Sequence, residues 1–584
     1  MPETVEEIAA REKAAQQRAL QFNRANRTNP PPSPRTTPQS DLGTVLGDPG
    51  ATWKFSGSGT GGALLVGPGG NMNGVGTAIK IESIHSVTNA QKCGQLMENF
   101  FQNAQGTPPF QAPRTQIYRS GDFNVAPQLK TDLLAKMDEV GNNPDLEKDR
   151  KRRLGSRKND LNQVDSGDTA VLLMEFADGV QANRMSAEDK AALMRSEAFA
   201  QAFGRSMAPS MTLGLTDHAG VSDGGTDFKF NVSNFMYDKD KGTLTVIDYD
   251  SGIDNVDQSD PNSPIKIGKV NNDTPQKIQE MNDFLTEATQ SPEHFQKAIS
   301  KILDPNQNTP FTAAMKSFTE PGEDSFFSEG EEVHLEALSN EDKERFVANM
   351  LKGAVEGMEY VHQNQQVLEN AVKQTHETVN GVDVPHFHSD QQLTALSQEV
   401  AKIRPDQLKA NVQNCIDSMN NKRKQEVDSL LADLDKKEAD LRQKLQAAQL
   451  KAEQIKEHPT AGQRLKSMVT DKTHSPLGHA NQEVQKIQKQ LDKVDELRTS
   501  ALSRKDFMEQ MDEQANLKPE RPKVDAPHVN VGTALHQDDG QRPGWKKGGH
   551  SLRDTNPELD HTQEQRTGQQ IGTKRQQGTQ HTHV

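Results

Sequence analysis

Residues 231–252 read NVSNFMYDKDKGTLTVIDYDSG, and the fold turns on how they are read. An Asn precedes a short apolar run. A charged turn with Gly242 follows, then alternating apolar residues, then Asp-Tyr-Asp-Ser-Gly. Alone, the stretch fits a β-hairpin with a charged turn. Two residues argue for more. Asp248 ends an apolar strand, where a carboxylate is costly unless it is paired or bound to a metal. Asn234 offers an amide oxygen that ligates Mg²⁺ without adding charge. The stretch is therefore either a plain hairpin or one that holds a metal ion over a phosphate, with Asn231 and Asp250 as stand-ins for the two ligands.

The sequence upstream separates these readings. AFGRSMAPSMTLGLTDHAG (residues 202–220) places Asp217 after an apolar helical stretch, at the mouth of a Gly-rich loop. A loop carboxylate there positions a hydroxyl proton; Asp223 and Asp227 in the same long loop are alternatives. TAVLLMEFADG (residues 169–179) is a buried-strand run ending at Glu175 and Phe176. It reads as a hinge between two lobes whose backbone meets an adenine edge. GTAIKIES (residues 76–83) sets Lys80 among Ala78, Ile79 and Ile81. A Lys pointing inward from a strand needs an anion; one at a strand edge keeps its amine in water. Glu98, on the helical segment that follows, is either its partner or an exposed helix position. WKFSGSGTGGALLVGP (residues 53–68) carries Gly57, Gly59, Gly61 and Gly62 before a strand, where backbone amides approach phosphate oxygens closely. No Gly-Lys-Ser/Thr follows, so this is not a Walker loop. A strand rather than a helix follows, so it is not a dinucleotide fingerprint.

The order of Gly-rich hairpin, strand Lys, helix Glu, hinge, loop Asp, Asn and strand-end Asp resembles the protein-kinase-like superfamily. The atypical branch, with actin-fragmin kinase and phosphoinositide lipid kinase catalytic domains, is the nearest pattern. There, an Asn opens a short apolar strand, a charged turn follows, and an Ile-Asp pair ends the next strand. The counterparts here are Asn234-Phe235-Met236, Asp238–Gly242 and Ile247-Asp248. The resemblance implies ATP and Mg²⁺ as cofactors, with Asn234 and Asp248 as metal ligands. It further implies Lys80 on the phosphates, Asp217 as catalytic residue, and Glu175 and Phe176 at the adenine. Departures are His218 where the family has Arg, a longer loop between Asp217 and Asn234, and Asp248-Tyr249-Asp250 in place of Asp-Phe-Gly.

Composition frames the rest. The chain has 584 residues, 32% of them hydrophobic and 5% aromatic, with a mean hydropathy of −0.84. Exposed helix or disorder must dilute a smaller folded part. The net charge of −15 gives no bulk reason to bind nucleic acid or anionic membrane. Cys93 and Cys415 are the only cysteines, which supports neither a disulfide framework nor a cysteine zinc site. No stretch has the apolar length of a membrane span, and the N-terminus lacks a secretory core. The expected class is α+β. It opens on a disordered, mobile leader over 1–45, in which residues 3–26 can form a short polar helix ended by the prolines that follow. A bilobal kinase-like domain over 46–325 comes next, then a helical extension over 326–390 whose helices can complete the second lobe. An antiparallel coiled-coil-like hairpin over 391–515 and a disordered tail over 516–584 complete it. The charged run at 142–163 is expected to be a surface insertion. Val427, Leu431, Leu434, Leu441, Leu445, Ala448 and Ile455 step by threes and fours, interrupted by Glu438; Val484, Ile487, Leu491, Val494 and Ala501 repeat the pattern.

The function expected is an ATP-dependent phosphotransferase of the serine/threonine protein kinase type. Its substrate is a protein rather than a lipid, since the chain is acidic and has no membrane signal. The alternatives are a kinase-like enzyme that transfers the nucleotide, or an inactive kinase-like scaffold that binds partners or itself through the coiled coil. A leader containing Ser, Thr and Pro, a kinase-like domain and helical appendages resemble bacterial virulence effectors delivered into host cells. That implies a soluble protein, secreted without a cleavable signal peptide, with a host protein as substrate. A cytoplasmic kinase with a coiled-coil arm is the alternative.

Overall fold

The structure is a computed structural model. It describes residues 5–28, 41–56, 63–66, 77–175, 180–215, 219–221, 228–239, 242–247, 274–322, 325–374, 376–379, 382–385, 390–464 and 475–516. All of these lie within one compact unit, Met1–Pro522. The expected tail from 517 onward lies outside them. The architecture is α+β and mostly helical.

Two helices, α1 (Val5–Thr28) and α2 (Leu42–Leu46), precede a five-stranded antiparallel sheet. Its strands are β1 (Trp53–Ser56), β2 (Ala63–Val66), β3 (Thr77–Ser83), β4 (Thr115–Tyr118) and β5 (Thr169–Glu175), in the order β1-β2-β3-β5-β4. Period-two alternation gives the sheet two faces with separate cores. Phe55, Leu64, Val66, Ile79, Ile81, Val171 and Leu173 bury into one core. Ala78, Ala170, Leu172 and Met174 bury into the other, larger one. Helix α3 (Ile84–Asn103), capped by the Ser83 hydroxyl on the Ser86 amide, covers this second face. It approaches β4 so closely that a Cβ on Gly94 would lie 2.6 Å from Thr115 Oγ1.

The first face is covered by α5 (Pro127–Gly141) and α6 (Lys148–Asn162), which follow the short α4 (Ser120–Val125). Helix α6 is the charged run expected to be a surface insertion. It instead closes a core: Leu154 and Leu161, two turns apart on one side, join Leu133, Met137 and Val140 of α5. The surrounding charges had concealed this narrow apolar stripe. Arg157 anchors it further by donating to the Ile81 carbonyl at 2.8 Å.

Beyond β5 the chain forms β6 (Val180–Gln181), α7 (Ala187–Leu193) and α8 (Glu197–Thr212), then β7 (Ala219–Val221), β8 (Phe228–Phe230), β9 (Phe235–Asp238) and β10 (Thr243–Val246). Strands β10, β9 and β6 make a second antiparallel sheet. Helices α9 (Thr274–Ala288), α10 (Pro292–Leu303), α11 (Pro310–Thr319), α12 (Glu332–Glu336), α13 (Asn340–Gln363) and α14 (Gln365–Gln374) follow, then the pair β11 (His376–Val379) and β12 (Val382–Pro385) and α15 (Asp390–Lys402). The stretch read as a helical extension over 326–390 packs into the large core, where α13 lies against α8. Three glycines allow this. A Cβ on Gly204, Gly353 or Gly357 would fall 2.0, 2.1 or 2.5 Å from a carbonyl oxygen of the facing helix.

The last two helices, α16 (Pro405–Glu457) and α17 (Pro476–Asn516), run against each other. At about 1.5 Å per residue, α16 is about 80 Å long. Its first part is rooted in the large core through Leu408, Val412, Cys415, Ile416 and Met419. Its later part carries the heptad: Val427, Leu434, Leu441 and Ala448 are buried at steps of seven. Leu434 and Leu441 pack on Leu491 and Val494. The polar gap at Glu438 is filled from the other helix by Arg498, which pairs with Glu438 and Asp435.

The helix expected at residues 3–26 is present as α1, but it is docked and not part of a mobile leader, burying Ala15, Ala19, Leu20 and Phe22. Asn23, 1% exposed, accepts from the Ser196 hydroxyl (2.8 Å) and the Ala198 amide (3.0 Å) at the start of α8. Leu20 packs on Phe507 and Met511 of α17. A mean composition rich in Ala, Glu and Gln hid these few apolar contacts. Among the described residues no helix is long and apolar enough to cross a membrane.

Candidate active site

Lys80 lies on β3 with its backbone opposite Leu172 of β5, and Ala78 lies opposite Met174. Alternation places the Lys80 side chain on the face of Ala78, Leu172 and Met174, toward α3 and the large core, where it is half-buried. Glu98 of α3 does not form an ion pair with Lys80 among the described residues. It accepts a hydrogen bond from Gln102, one turn along, at 2.9 Å. The helix turns Val87, Ala90, Leu96, Met97 and Phe100 into the core, and Glu98 takes an intermediate position. Glu175, the last residue of β5, pairs through its backbone with Thr77, so the end of the proposed hinge strand adjoins the start of the lysine strand.

The glycines Gly57, Gly59, Gly61 and Gly62 lie outside the described residues. So do Phe176, Asp217, His218, Asp223, Asp227, Asp248 and Asp250. The residues bordering these segments are described. Strands β1 and β2 pair from Trp53↔Val66 to Ser56↔Ala63, so the glycine segment joins adjacent antiparallel strands. Helix α8 ends at Thr212, and Gly214 takes the left-handed conformation (φ 71°) two residues later. This is the turn glycine serves at a helix C-terminus. Leu215 then donates to the Ser210 carbonyl at 2.9 Å. Part of the long loop between Asp217 and Asn234 is itself a hairpin, since β7 and β8 pair with Ala219 opposite Phe230. The residues flanking the loop are thereby brought side by side.

Asn234 ends a 3₁₀ turn, Val232–Asn234, directly before β9. It is 7% exposed. Its carbonyl accepts from the Ile247 amide at 2.8 Å, while β9 and β10 pair from Phe235↔Val246 to Tyr237↔Leu244 and Asp238↔Thr243. Gly242 takes φ 66° in the turn between them, a conformation that favours glycine. The hairpin predicted from the sequence is thus present, and it pairs Asn234 with the residue that precedes Asp248.

The far edge of β10 is held by a contact that sequence reading missed. Gln111, in the connection between α3 and β4, donates its amide to Leu244 (2.8 Å) and accepts from Val246 (2.9 Å). This backbone tie links the five-stranded sheet to the hairpin. It carries no side-chain signature, so only topology reveals it. Tyr237 on β9 is fully buried and T-shaped against Phe199 at 4.9 Å. Among the described residues its hydroxyl has no hydrogen-bond partner. Burial drives its pKa far above the ordinary tyrosine range, with Asp238 adding to the rise and Arg205 opposing it. The phenol stays neutral, and its role is packing. Lys239 in the following turn pairs with Asp189 (3.0 Å), which also holds Arg18 of α1 (3.3 Å).

Among the described residues no group of three or more His, Cys, Asp or Glu gathers in a way that could hold a metal. Comparison with family models, curated proteins and solved structures finds no match.

Proposed function

We propose that the chain is an ATP-dependent phosphotransferase with a protein substrate. The observation that carries this reading is the backbone convergence at the hairpin. The Asn234 carbonyl receives the amide adjacent to Asp248, and the Ala219↔Phe230 pair draws together the two ends of the loop that starts at Asp217. The inward face of β3 that carries Lys80 borders the same continuous core as Val232, Phe235 and Val246.

The donor set fits Mg²⁺. A buried Asn oxygen and a strand-end carboxylate are hard oxygen ligands, and the hairpin holds their neighbours in register. Asn234 and Asp248 would hold the ion, which when bound neutralises phosphate charge. Lys80 neutralises further charge, and the amides at Gly57, Gly59, Gly61 and Gly62 cradle the phosphates. Glu175 and Phe176 bound the adenine through their backbone. Asp217 orients the acceptor hydroxyl and holds its proton. Positioning and electrostatics supply most of the acceleration in this chemistry. In this reading Glu98 turns to Lys80 when nucleotide enters, and its carboxylate has acceptor sites beyond the one that Gln102 uses.

The test is transfer of the labelled terminal phosphate of ATP by the full-length protein, with intact mass of the product to separate phosphate from nucleotide addition. Lys80→Ala and Asp248→Ala are expected to lower transfer by about a hundredfold or more, on the scale of losing a main electrostatic contact to the transition state. Undiminished labelling by both variants would refute the reading.

A further inference from the structure

Helix α1 packs on α7, α8 and α17, none of which is next to it in sequence. Arg18 pairs with one oxygen of Asp189 on α7 at 3.3 Å, and the other oxygen takes Lys239 at 3.0 Å. Lys239 directly follows β9. It lies in the turn of the hairpin whose other end sets the Asn234 carbonyl against the Ile247 amide. Further along α1, Asn23 holds the Ser196 hydroxyl and the Ala198 amide at the start of α8. The next residue, Phe199, is the one whose ring meets Tyr237 of β9 at 4.9 Å. Between Arg18 and Asn23, Leu20 meets Phe507 and Met511 of α17, and Phe22 enters the large core. One helix thus reaches the hairpin by two routes, its turn through Asp189 and its buried face through the start of α8, and reaches the arm as well.

The hold on α1 is slight for its 24 residues. Among the described residues, Leu20 and Phe22 are the large apolar side chains that it buries, and Ala15 and Ala19 add little area. Arg18 and Lys239 are each 44% exposed, so their pairs with Asp189 add little stability of their own. Helix α13 contrasts with this, burying Phe346, Val347, Met350, Leu351 and Met358. A helix in a protein draws most of its stability from the packing of one face, so α1 loses its helix when it leaves its seat. The sequence after it, NPPPSPRTTPQS (residues 29–40), carries prolines that bar a helix from running on into α2. Release therefore stops at the end of α1. Docked and released are two states of one cooperative unit, drawn from the low-stability end of the molecule.

We propose that α1 is a releasable strap, and that its docking holds the β9–β10 hairpin in place. In the docked state Asp189 is fixed between Arg18 and Lys239, and the start of α8 is capped by Asn23, which seats Phe199 on Tyr237. In the released state Asp189 keeps Lys239 alone, and the Ser196 hydroxyl and Ala198 amide lose the acceptor that Asn23 gave them. The hairpin loses support at its turn and at its buried face together. The contacts of Leu20 and Asn23 with α17 favour the docked state, so the arm and the hairpin bias the same equilibrium from opposite sides of α1. The docked fraction then sets how often Asn234 and the residue before Asp248 stand in register. The strap does not depend on nucleotide chemistry; its control of phosphoryl transfer rests on the reading of this hairpin as the Mg²⁺ site.

The experiment is amide hydrogen exchange of the full-length protein without nucleotide, read by mass spectrometry for α1, for β9 with β10, and for α13. In the wild type the amides of α1 are expected to exchange together and about tenfold or more faster than those of α13. Arg18→Glu, a change at an exposed position, and Asn23→Ala are each expected to quicken α1 and the hairpin by a similar factor, about threefold or more, and to leave α13 unchanged. Leu434→Ala, in the arm away from α1, is expected to quicken the arm and not the hairpin. Four results would overturn the proposal: α1 exchanging as slowly as α13 in the wild type, α1 unmoved by both variants, a hairpin unmoved where α1 quickens, or equal quickening of the hairpin by Leu434→Ala. A rise in α13 by the same factor in both variants would mark global unfolding and overturn it too. The reading of the site is tested apart from this, by the thermal shift that MgATP gives the wild type. No shift there refutes that reading and leaves the exchange results to decide the strap.

Discussion

Ile247 donates its amide to the carbonyl of Asn234 at 2.8 Å. The bond is between backbones, so it is independent of what the Asn234 side chain does. Fold and ligand chemistry can therefore be separated at this position. Asn234→Ala is expected to retain the far-ultraviolet circular dichroism of the wild type and to lose most of the thermal shift that MgATP produces. A variant that keeps the full MgATP shift would remove Asn234 from the nucleotide site.

The crossing of α8 and α13 tolerates no side chain at Gly353. An added Cβ there would fall 2.1 Å from the Gln201 carbonyl oxygen, and backbone cannot step aside as a flexible side chain can. Gly353→Ala is expected to destabilise the protein by about 2–4 kcal/mol, in the upper range for overpacking a core. Gly155→Ala, where nothing lies within 4 Å, is expected to be neutral or stabilising by up to about 1 kcal/mol. Chemical denaturation of the two variants side by side checks the contrast.

Glu438 occupies a heptad position otherwise filled by apolar residues, and Arg498 meets it from α17. A hydrogen bond from Arg442 is the main influence holding the Glu438 carboxyl below its ordinary value of 4.5, with Arg498 adding to it against partial desolvation. A depressed folded-state pKa adds stability above the unfolded value and loses it as the pH falls through the folded one. The wild type is expected to melt above Glu438→Gln near neutral pH, and the gap is expected to close as the pH falls below the ordinary glutamate value of 4.5 and through the depressed folded-state one. Helical ellipticity followed against temperature reads this. A gap that does not depend on pH would contradict it.

Asn23 caps α8 from a helix far away in sequence. Asn23→Ala strips an acceptor from the Ser196 hydroxyl and the Ala198 amide and is expected to destabilise the protein by about 1–3 kcal/mol. Limited proteolysis is expected to cleave first within α1 in this variant. A wild-type cleavage pattern would show that other contacts hold the leader.

The sequence was most legible where chemistry and periodicity coincide. Asn234, the charged turn and the alternation from Thr243 to Val246 specify the hairpin. The heptad of α16 and α17 specifies the arm, including its polar break at Glu438. The strand run from Thr169 to Glu175 was equally clear, since burial on both faces demands continuous apolar residues. Three features were hidden. Helices α1 and α6 bury only a few apolar residues each among many polar ones, so average composition misreads them. The Gly204, Gly353 and Gly357 contacts involve the absence of a side chain, which no hydropathy pattern registers. Gln111 acts through its backbone, as any residue but proline would there. At the candidate site, Lys80 and Asn234 fall on the elements their neighbours predicted, whereas the Glu98 pairing depended on a helix rotation that spacing alone does not specify.

Asn23 also donates to the sulfur of Met511 at 3.0 Å, which bears on the order in which the molecule can be completed. A ribosome delivers the first of these residues 488 positions before the second. Through almost all of synthesis, the leader helix and the start of α8 wait for a contact that has not been made. Lock-in of this corner is thus a late event of biogenesis, and until it occurs a cellular chaperone or protease finds Leu20 without its partners Phe507 and Met511.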